Sequence, residues 1–262
     1  MIYDVEGDKY FLEKCKNRSD VPLRRNHIAE VIGPHMLIHG GIDENDNILS
    51  DVCLLEFSPV CSWSKAEFKT GSKPLALANH SSTLVVKSDI RNSSNFNIYK
   101  FPELSQNSYS NRKLKIEGVY IFGGIDAERN TKNDLKVMRI GKRPIDFVTI
   151  KTKGYTPLPR MNATLNFFEH LNILILIGGK DDSLSKLFYN DLHVFDLENF
   201  TWINVKIFDK LPLERAEHSS VIHGNKIFIF GGINMNKYVG SDFYVINLDF
   251  WDKKRRKPVF KK

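Results

Sequence analysis

The sequence predicts an all-β fold built from repeated four-stranded antiparallel units, and three observations predict it. A run of apolar residues stops at a glycine pair four times: Met36 to Gly41, Val119 to Gly124, Leu174 to Gly179 and Ile227 to Gly232. Beyond each pair comes an aspartate leading alternating apolar residues: Asp51 with Val52 and Leu54, Asp134 with Leu135 and Val137, Asp191 with Leu192 and Val194, Asp242 with Phe243 and Val245. An aromatic then follows, Trp63, Phe147 and Trp202, with Trp251 arriving early in the last copy.

Each feature has a physical reading. A short, nearly continuous apolar run reads as a strand covered on both faces, since alternation would mark a strand with one wet face. Glycine pairs let the backbone take positive φ or approach a neighbouring element closely. The pairs Gly40 and Gly41, Gly123 and Gly124, Gly178 and Gly179, Gly231 and Gly232 are therefore structural. The aspartate-led segments alternate with period two and read as half-buried strands. Upstream of the glycines, a Pro-x-x-Arg head recurs at Pro22 with Arg25, Pro157 with Arg160 and Pro212 with Arg215. Each repeat then holds four strands.

In chain order, Ile2 to Tyr10 matches Val194 to Trp202 position for position, so the chain begins in the middle of a repeat. The repeats fall at about 1–21 (partial), 22–73, 74–156, 157–211 and 212–252, followed by a basic tail, 253–262. First glycines lie 83, 55 and 53 residues apart, so the interval from Gly40 to Gly123 holds an insertion. It opens like a repeat, with His80-Ser81-Ser82 echoing His218-Ser219-Ser220, and contains the strand-like Asn95 to Phe101 without a glycine pair. It is either a degenerate extra unit or a long hairpin interrupting an ordinary one. The polar segment Ser105 to Lys113 is a loop in both cases.

An apolar strand ending in Gly-Gly, an aspartate-led strand and a spaced tryptophan, repeating about every fifty residues, resemble the kelch repeat. The resemblance covers most of the chain and implies a β-propeller, with four-stranded antiparallel blades around a central channel. It implies four clear blades, a leading half-blade, one possible degenerate blade and an incomplete ring, as in a fragment lacking upstream blades. Small residues, Ala29, Ser81, Ser82, Ala163, Ser219 and Ser220, fall where strands converge on the axis. Trp63, Phe147 and Trp202 fill the wider gap between blades as core residues.

Composition narrows the function. Three cysteines, Cys15, Cys53 and Cys61, are too few and too irregularly spaced for a disulfide framework or a zinc site, and no signal sequence opens the chain. A cytoplasmic or nuclear protein is expected. No apolar stretch approaches the roughly 18 to 20 residues of a membrane span. The net charge of +7 is concentrated in Lys253, Lys254, Arg255, Arg256, Lys257, Lys261 and Lys262. The propeller is close to neutral without them, which argues against nucleic-acid binding. His27, His80 and His218 recur at one repeat position and read as structural, and no protease, hydrolase or phosphate-loop motif is present. Kelch-built copper oxidases need a cysteine and tyrosines around two histidines, whereas Cys53 and Cys61 fall on the outer strands of a blade, far from the axis. No cofactor, metal or catalytic residue is expected.

The expected function is a non-enzymatic protein-interaction module that binds a protein or peptide across loops at the channel mouth, as scaffold, adaptor or substrate-recognition part. The alternative is a propeller enzyme, or the regulatory kelch domain of a larger catalytic polypeptide. Arg25, Arg160 and Arg215 are the candidate partner-binding residues: set at the starts of inner strands, they would ring the mouth and take acidic side chains bidentately. The structural reading of the same residues is that each pairs with an aspartate of its own or the neighbouring blade. Leu77 stands at this position in the irregular repeat.

Overall fold

The computed structural model describes residues 2–4, 7–11, 15–57, 61–68, 75–86, 116–140, 144–183, 187–205, 213–236, 241–248, 251–252 and 257–258. Four antiparallel sheets form the blades of a β-propeller. The first runs through Ile28–Ile32, His35–His39, Val52–Glu56 and Ser62–Lys65; the second through Ser81–Val85, Gly118–Phe122, Leu135–Arg139 and Asp146–Thr149. The third holds Thr164–Phe168, Ile173–Ile177, Leu192–Asp196 and Thr201–Asn204, and the fourth Ser219–His223, Lys226–Phe230 and Phe243–Asn247. Helix among the described residues is limited to two 3-10 turns, and no helix there is long and apolar enough to cross a membrane.

The first strands of successive blades pack against one another, which places them innermost. Small polar side chains join them there: Ser81 Oγ donates to the Ala163 carbonyl at 2.8 Å, and Ser82 Oγ to Glu30 at 2.6 Å. Between blades the core is apolar. The glycine-ended second strands of the second and third blades, Gly118–Phe122 and Ile173–Ile177, are buried at every position because each has a blade on both faces. Trp202 fills the space between the second and third blades, 2% exposed, with its ring 5.3 Å from that of Phe122 and 4.9 Å from that of Phe195. Phe147 packs on the core between the first two blades, and Trp63 on a smaller cluster of Val21, Ile38 and Cys53.

Several expectations change. Ser81–Val85 pairs with Gly118–Phe122, so the insertion lies between the first and second strands of one blade. The strand-like Asn95 to Phe101, the polar loop 105–113 and the charge run 253–256 lie outside the described residues. Among the described residues the fourth sheet has three strands rather than four, and Trp251–Asp252 pairs with Lys257–Pro258 instead of with it. Its outer face leaves Val221, Phe230, Phe243 and Val245 exposed. The opening hairpin pairs Tyr3 with Tyr10, the register in which Phe195 pairs with Trp202.

The cysteines also depart from expectation, since Cys15 and Cys61 form a disulfide across 46 residues. The reason lies outside the blade, where the chain arriving at it runs parallel to its fourth strand. Lys16 bridges Ser62, as Phe68 bridges Ile145 in the second blade and Lys153 pairs with Thr201 in the third. That lateral pairing brings Cys15 beside Cys61, a proximity that sequence spacing does not reveal. Cys53 is free and buried, its thiol pushed up to about 11 chiefly by burial.

Candidate interaction rim

The glycine pairs fasten each blade to the next at one end of the propeller. The second glycine donates its N–H to a carbonyl of the following blade: Gly41 to Leu77 at 2.8 Å, Gly124 to Arg160 at 2.9 Å and Gly179 to Arg215 at 2.8 Å. All eight glycines have positive φ. A side chain at the first glycine would collide with that same carbonyl, and one at the second with the head of its own blade. Both glycines are therefore required by backbone approach as well as by φ.

Two residues beyond that carbonyl, Asn26, Asn79, Asn162 and Glu217 all adopt left-handed backbone, with φ between 55° and 60°. Their peptides form a chain around the axis: Asn79 N–H donates to Asn26 at 3.0 Å, Asn162 to Asn79 at 2.9 Å and Glu217 to Asn162 at 3.0 Å. Asparagine tolerates this conformation because its short polar side chain bonds locally, whereas glutamate there is unusual. Asn162 Nδ2 and Lys180 Nζ both reach Glu217 Oε1, at 3.1 and 3.4 Å. The sequence signal for this position is the recurring Asn-His of Asn26-His27 and Asn79-His80, which Asn162 and Glu217 do not both continue.

Loops following the glycine pairs build the rim above this chain and are tied to one another. Arg129 of the second loop donates to the Asp46 carbonyl of the first at 2.8 Å, and Thr131 to Asp181 of the third at 3.0 Å. Asp43 shapes the first loop by accepting the N–H groups of Asn45 and Asn47 at 2.9 and 2.8 Å. Beneath the loops, Ile42, Ala78, Ile125 and Met161 form a small apolar cluster that seats them.

The structure does not bring Arg25, Arg160 and Arg215 together at the mouth. Arg160 and Arg215 are 1% exposed, each folded into its own blade. Arg160 forks onto Asp191 at 2.6 and 2.9 Å, donates to the carbonyls of Gly178 and Leu158 at 2.9 and 3.1 Å, and lies 4.1 Å over the Tyr189 ring. Arg215 donates to the carbonyls of Gly231 and Leu213 at 2.9 and 3.1 Å, under Tyr244. In the first blade this position belongs to Arg24, which forks onto Asp51 at 2.7 and 2.8 Å and reaches the Gly40 carbonyl at 3.0 Å. Arg25 is one residue further on, exposed and paired with Asp46. The mismatch arises because the segment from Pro22 to the inner strand is one residue shorter than its counterpart after Pro157. Guanidinium groups held this way are turned from solvent and are not offered to an acidic ligand.

Electrostatics inside the blades follow from these pairings. Burial alone would raise Asp191, but hydrogen bonds from His193 and Arg160 outweigh it and bring the carboxyl down to about 2. His39 and His80 form a buried pair at 3.1 Å, and the other His39 ring nitrogen meets the Leu75 carbonyl at 2.8 Å. That carbonyl accepts only, so His39 carries its proton on Nε2 and His80 donates to Nδ1. Burial lowers His39 to about 4, and His80 well below its ordinary value. His218 is likewise lowered to about 4 by burial and Arg215, beside the Thr164 hydroxyl at 3.0 Å. These histidines are neutral structural groups near neutral pH.

Consecutive antiparallel sheets with joined inner strands and glycine-fastened blades define a repeat β-propeller. The chain belongs to the kelch-repeat family: the KLHDC2/KLHL20/DRC7 Kelch-repeats domain matches residues 114–259. It is similar to Acyl-CoA-binding domain-containing protein 4 of Arabidopsis thaliana, 27% identical over 255 residues, which cover 86% of this chain and 37% of that protein. It is also similar to human Kelch domain-containing protein 1, 29% identical over 156 residues, covering 51% of this chain and 37% of that protein. Tip elongation aberrant protein 1 of Schizosaccharomyces pombe matches at 28% over 121 residues, 46% of this chain and 10% of that protein. The chain thus spans less than two fifths of the length of these relatives.

Proposed function

We propose that this propeller is a non-enzymatic protein-interaction module that binds a protein partner across the rim loops at the channel mouth. The observation that supports this reading is the linkage of the rim: Arg129 and Thr131 join three successive loops into one surface, above a backbone chain fixed at Asn26, Asn79, Asn162 and Glu217. A surface ordered before binding spares the entropy of ordering it on contact, which favours recognition. Exposed Glu44, Asn45, Glu128 and Arg129 give it mixed polar character, suited to a protein surface more than to an apolar small molecule. Arg160 and Arg215 are taken up inside the blades, and Arg25 is exposed but paired with Asp46, so the proposed surface is the loops rather than a guanidinium ring.

The test is partner capture by the purified chain and by two charge-reversal variants. Glu44→Lys with Glu128→Lys alters the rim at exposed side chains, and Lys151→Glu alters an exposed residue after the outer strand of the second blade. Partners recovered with the parent and with Lys151→Glu, and lost with the rim pair, are expected. Equal recovery with the rim pair would exclude the rim as the binding surface.

A further inference from the structure

Among the described residues the second blade has no counterpart of the buried arginine of the other three, and a cavity stands in its place. Leu77 occupies the position of Arg24, Arg160 and Arg215, four residues before each inner strand starts. The cavity, of about 50 Å3, is lined by Leu75, Leu77, Ile121, Gly123, Asp126, Lys132, Asp134 and Lys136. Three of these are the counterparts of the groups that hold arginine elsewhere. Gly123 corresponds to Gly40, Gly178 and Gly231, whose carbonyls accept from the guanidinium. Asp134 corresponds to Asp51 and Asp191, which take the fork. Leu75 corresponds to Leu158 and Leu213, whose carbonyls accept from Nε, although here that carbonyl is taken by His39.

Lys136 does not substitute for the missing arginine. It meets Asp134 Oδ2 at 2.7 Å from two residues further along the strand. His193 meets Asp191 from the same place at 2.9 Å while Arg160 is also bound. Cys53 likewise meets Asp51 at 3.3 Å beside Arg24. The second blade therefore keeps the companion of its aspartate and has lost only the guanidinium. Asp134 is correspondingly open, its side chain 50% exposed against 23% and 33% for Asp51 and Asp191. A cavity needs about 10 to 15 Å3 for one water, so about 50 Å3 gives room for the four heavy atoms of a guanidinium. Lys132 is paired with Asp126 at the same mouth, so the pocket is near neutral before a cation arrives.

We propose that this pocket is a guanidinium site, filled by an arginine side chain of the bound partner. The planar fork would reproduce what Arg160 does within its own blade, with bidentate donation to Asp134 and a third bond to the Gly123 carbonyl. The pocket lies at the rim end, beside the second loop, so the inference deepens the reading above by naming a chemical feature of the partner. Its test uses defined peptides, so its failure would leave the rim reading standing.

The experiment titrates the 262-residue chain with acetyl-Gly-Arg-Gly-amide, its citrulline and lysine analogues, and methylguanidinium, following amide resonances of Gly123, Gly124 and Asp134. Saturable shifts with the arginine peptide, and at least tenfold weaker binding of the citrulline and lysine peptides, are expected. Leu77→Arg fills the pocket from within, and should raise the melting temperature and abolish the shifts. Asp134→Asn should weaken binding at least tenfold, and it carries the comparison alone if Leu77→Arg does not fold. Methylguanidinium binding as tightly as the peptide would overturn the partner's arginine as the source and assign the site to a small guanidino compound. Absence of saturable shifts, equal binding of arginine and citrulline peptides, or binding that survives Asp134→Asn would overturn the site.

Discussion

Gly178→Ala and Gly224→Ala place the same methyl group at the same φ, 58°, in two different surroundings. At Gly224, in the hairpin turn of the fourth blade, a Cβ meets nothing within 4 Å. The cost there is the left-handed strain alone, about 1 to 2 kcal/mol, partly offset by about 0.4 to 1 kcal/mol from the less flexible unfolded chain. At Gly178 the Cβ would lie 2.6 Å from the Arg215 carbonyl oxygen and 3.1 Å from the His218 ring. The carbonyl would have to retreat, and it is the acceptor of the 2.8 Å bond from Gly179 that ties the third blade to the fourth. A lost buried hydrogen bond costs about 1 to 3 kcal/mol, and overpacking a further 1 to 3 kcal/mol or so. Gly178→Ala should therefore be destabilised by roughly 3 kcal/mol or more beyond Gly224→Ala, and melt about 6 to 12 °C lower at 2 to 4 °C per kcal/mol. Circular dichroism melts, with urea unfolding as a second measure, compare the two. Agreement within about 0.5 kcal/mol would refute the claim that blade contact, and not φ alone, demands the glycine.

The part of this fold legible in sequence is the part carried by contiguous residues. Each apolar run, glycine pair and aspartate-led strand lies within some twenty residues, so the period shows directly, and even Ile2 to Tyr10 declared its hairpin register by matching Val194 to Trp202. What depends on contacts between blades was hidden. The spacing from Pro22 points to Arg25, whereas the buried position is Arg24, because a proline in a loop keeps no fixed distance and the packed inner strand does. The insertion was ambiguous because Ser81-Ser82 looks like the start of a repeat wherever its partner strand lies, and only its pairing with Gly118–Phe122 assigns both to one blade. Cys15 and Cys61 meet through a parallel contact outside the sheet, between elements with no local relation. The vacant arginine position was visible as Leu77, but that a cavity results needed the aspartate, the glycine carbonyl and the leucine to be seen in one place.

Arg160→Ala should cost about 2 to 3 kcal/mol in urea titration, because it removes a buried guanidinium and leaves the partly buried Asp191 carboxylate without its fork and the Gly178 and Leu158 carbonyls without their donor; a variant that melts like the parent would show that this arginine does not hold the blade. A pH dependence follows from the buried pair His39 and His80. His39 is held at about 4 by burial, against about 6.5 in an unfolded chain, and His80 shifts in the same direction. Above pH 6.5 both forms are neutral and contribute no dependence. As pH falls below 6.5 the unfolded chain binds protons that the folded pair refuses, so stability declines until about pH 4, where folded His39 protonates as well. At 1.36 kcal/mol per unit, His39 alone accounts for roughly 3 kcal/mol across that interval. Carboxylates titrate at its lower end, so the parent is compared with His39→Phe, which installs the residue found at the equivalent positions Phe122 and Phe230. In that variant the fall in unfolding free energy between pH 6.5 and 4.5 should shrink by about 2 kcal/mol or more. Parallel curves for the two proteins would show that the pair is protonated in the folded state, or solvated, and that its burial does not govern acid stability.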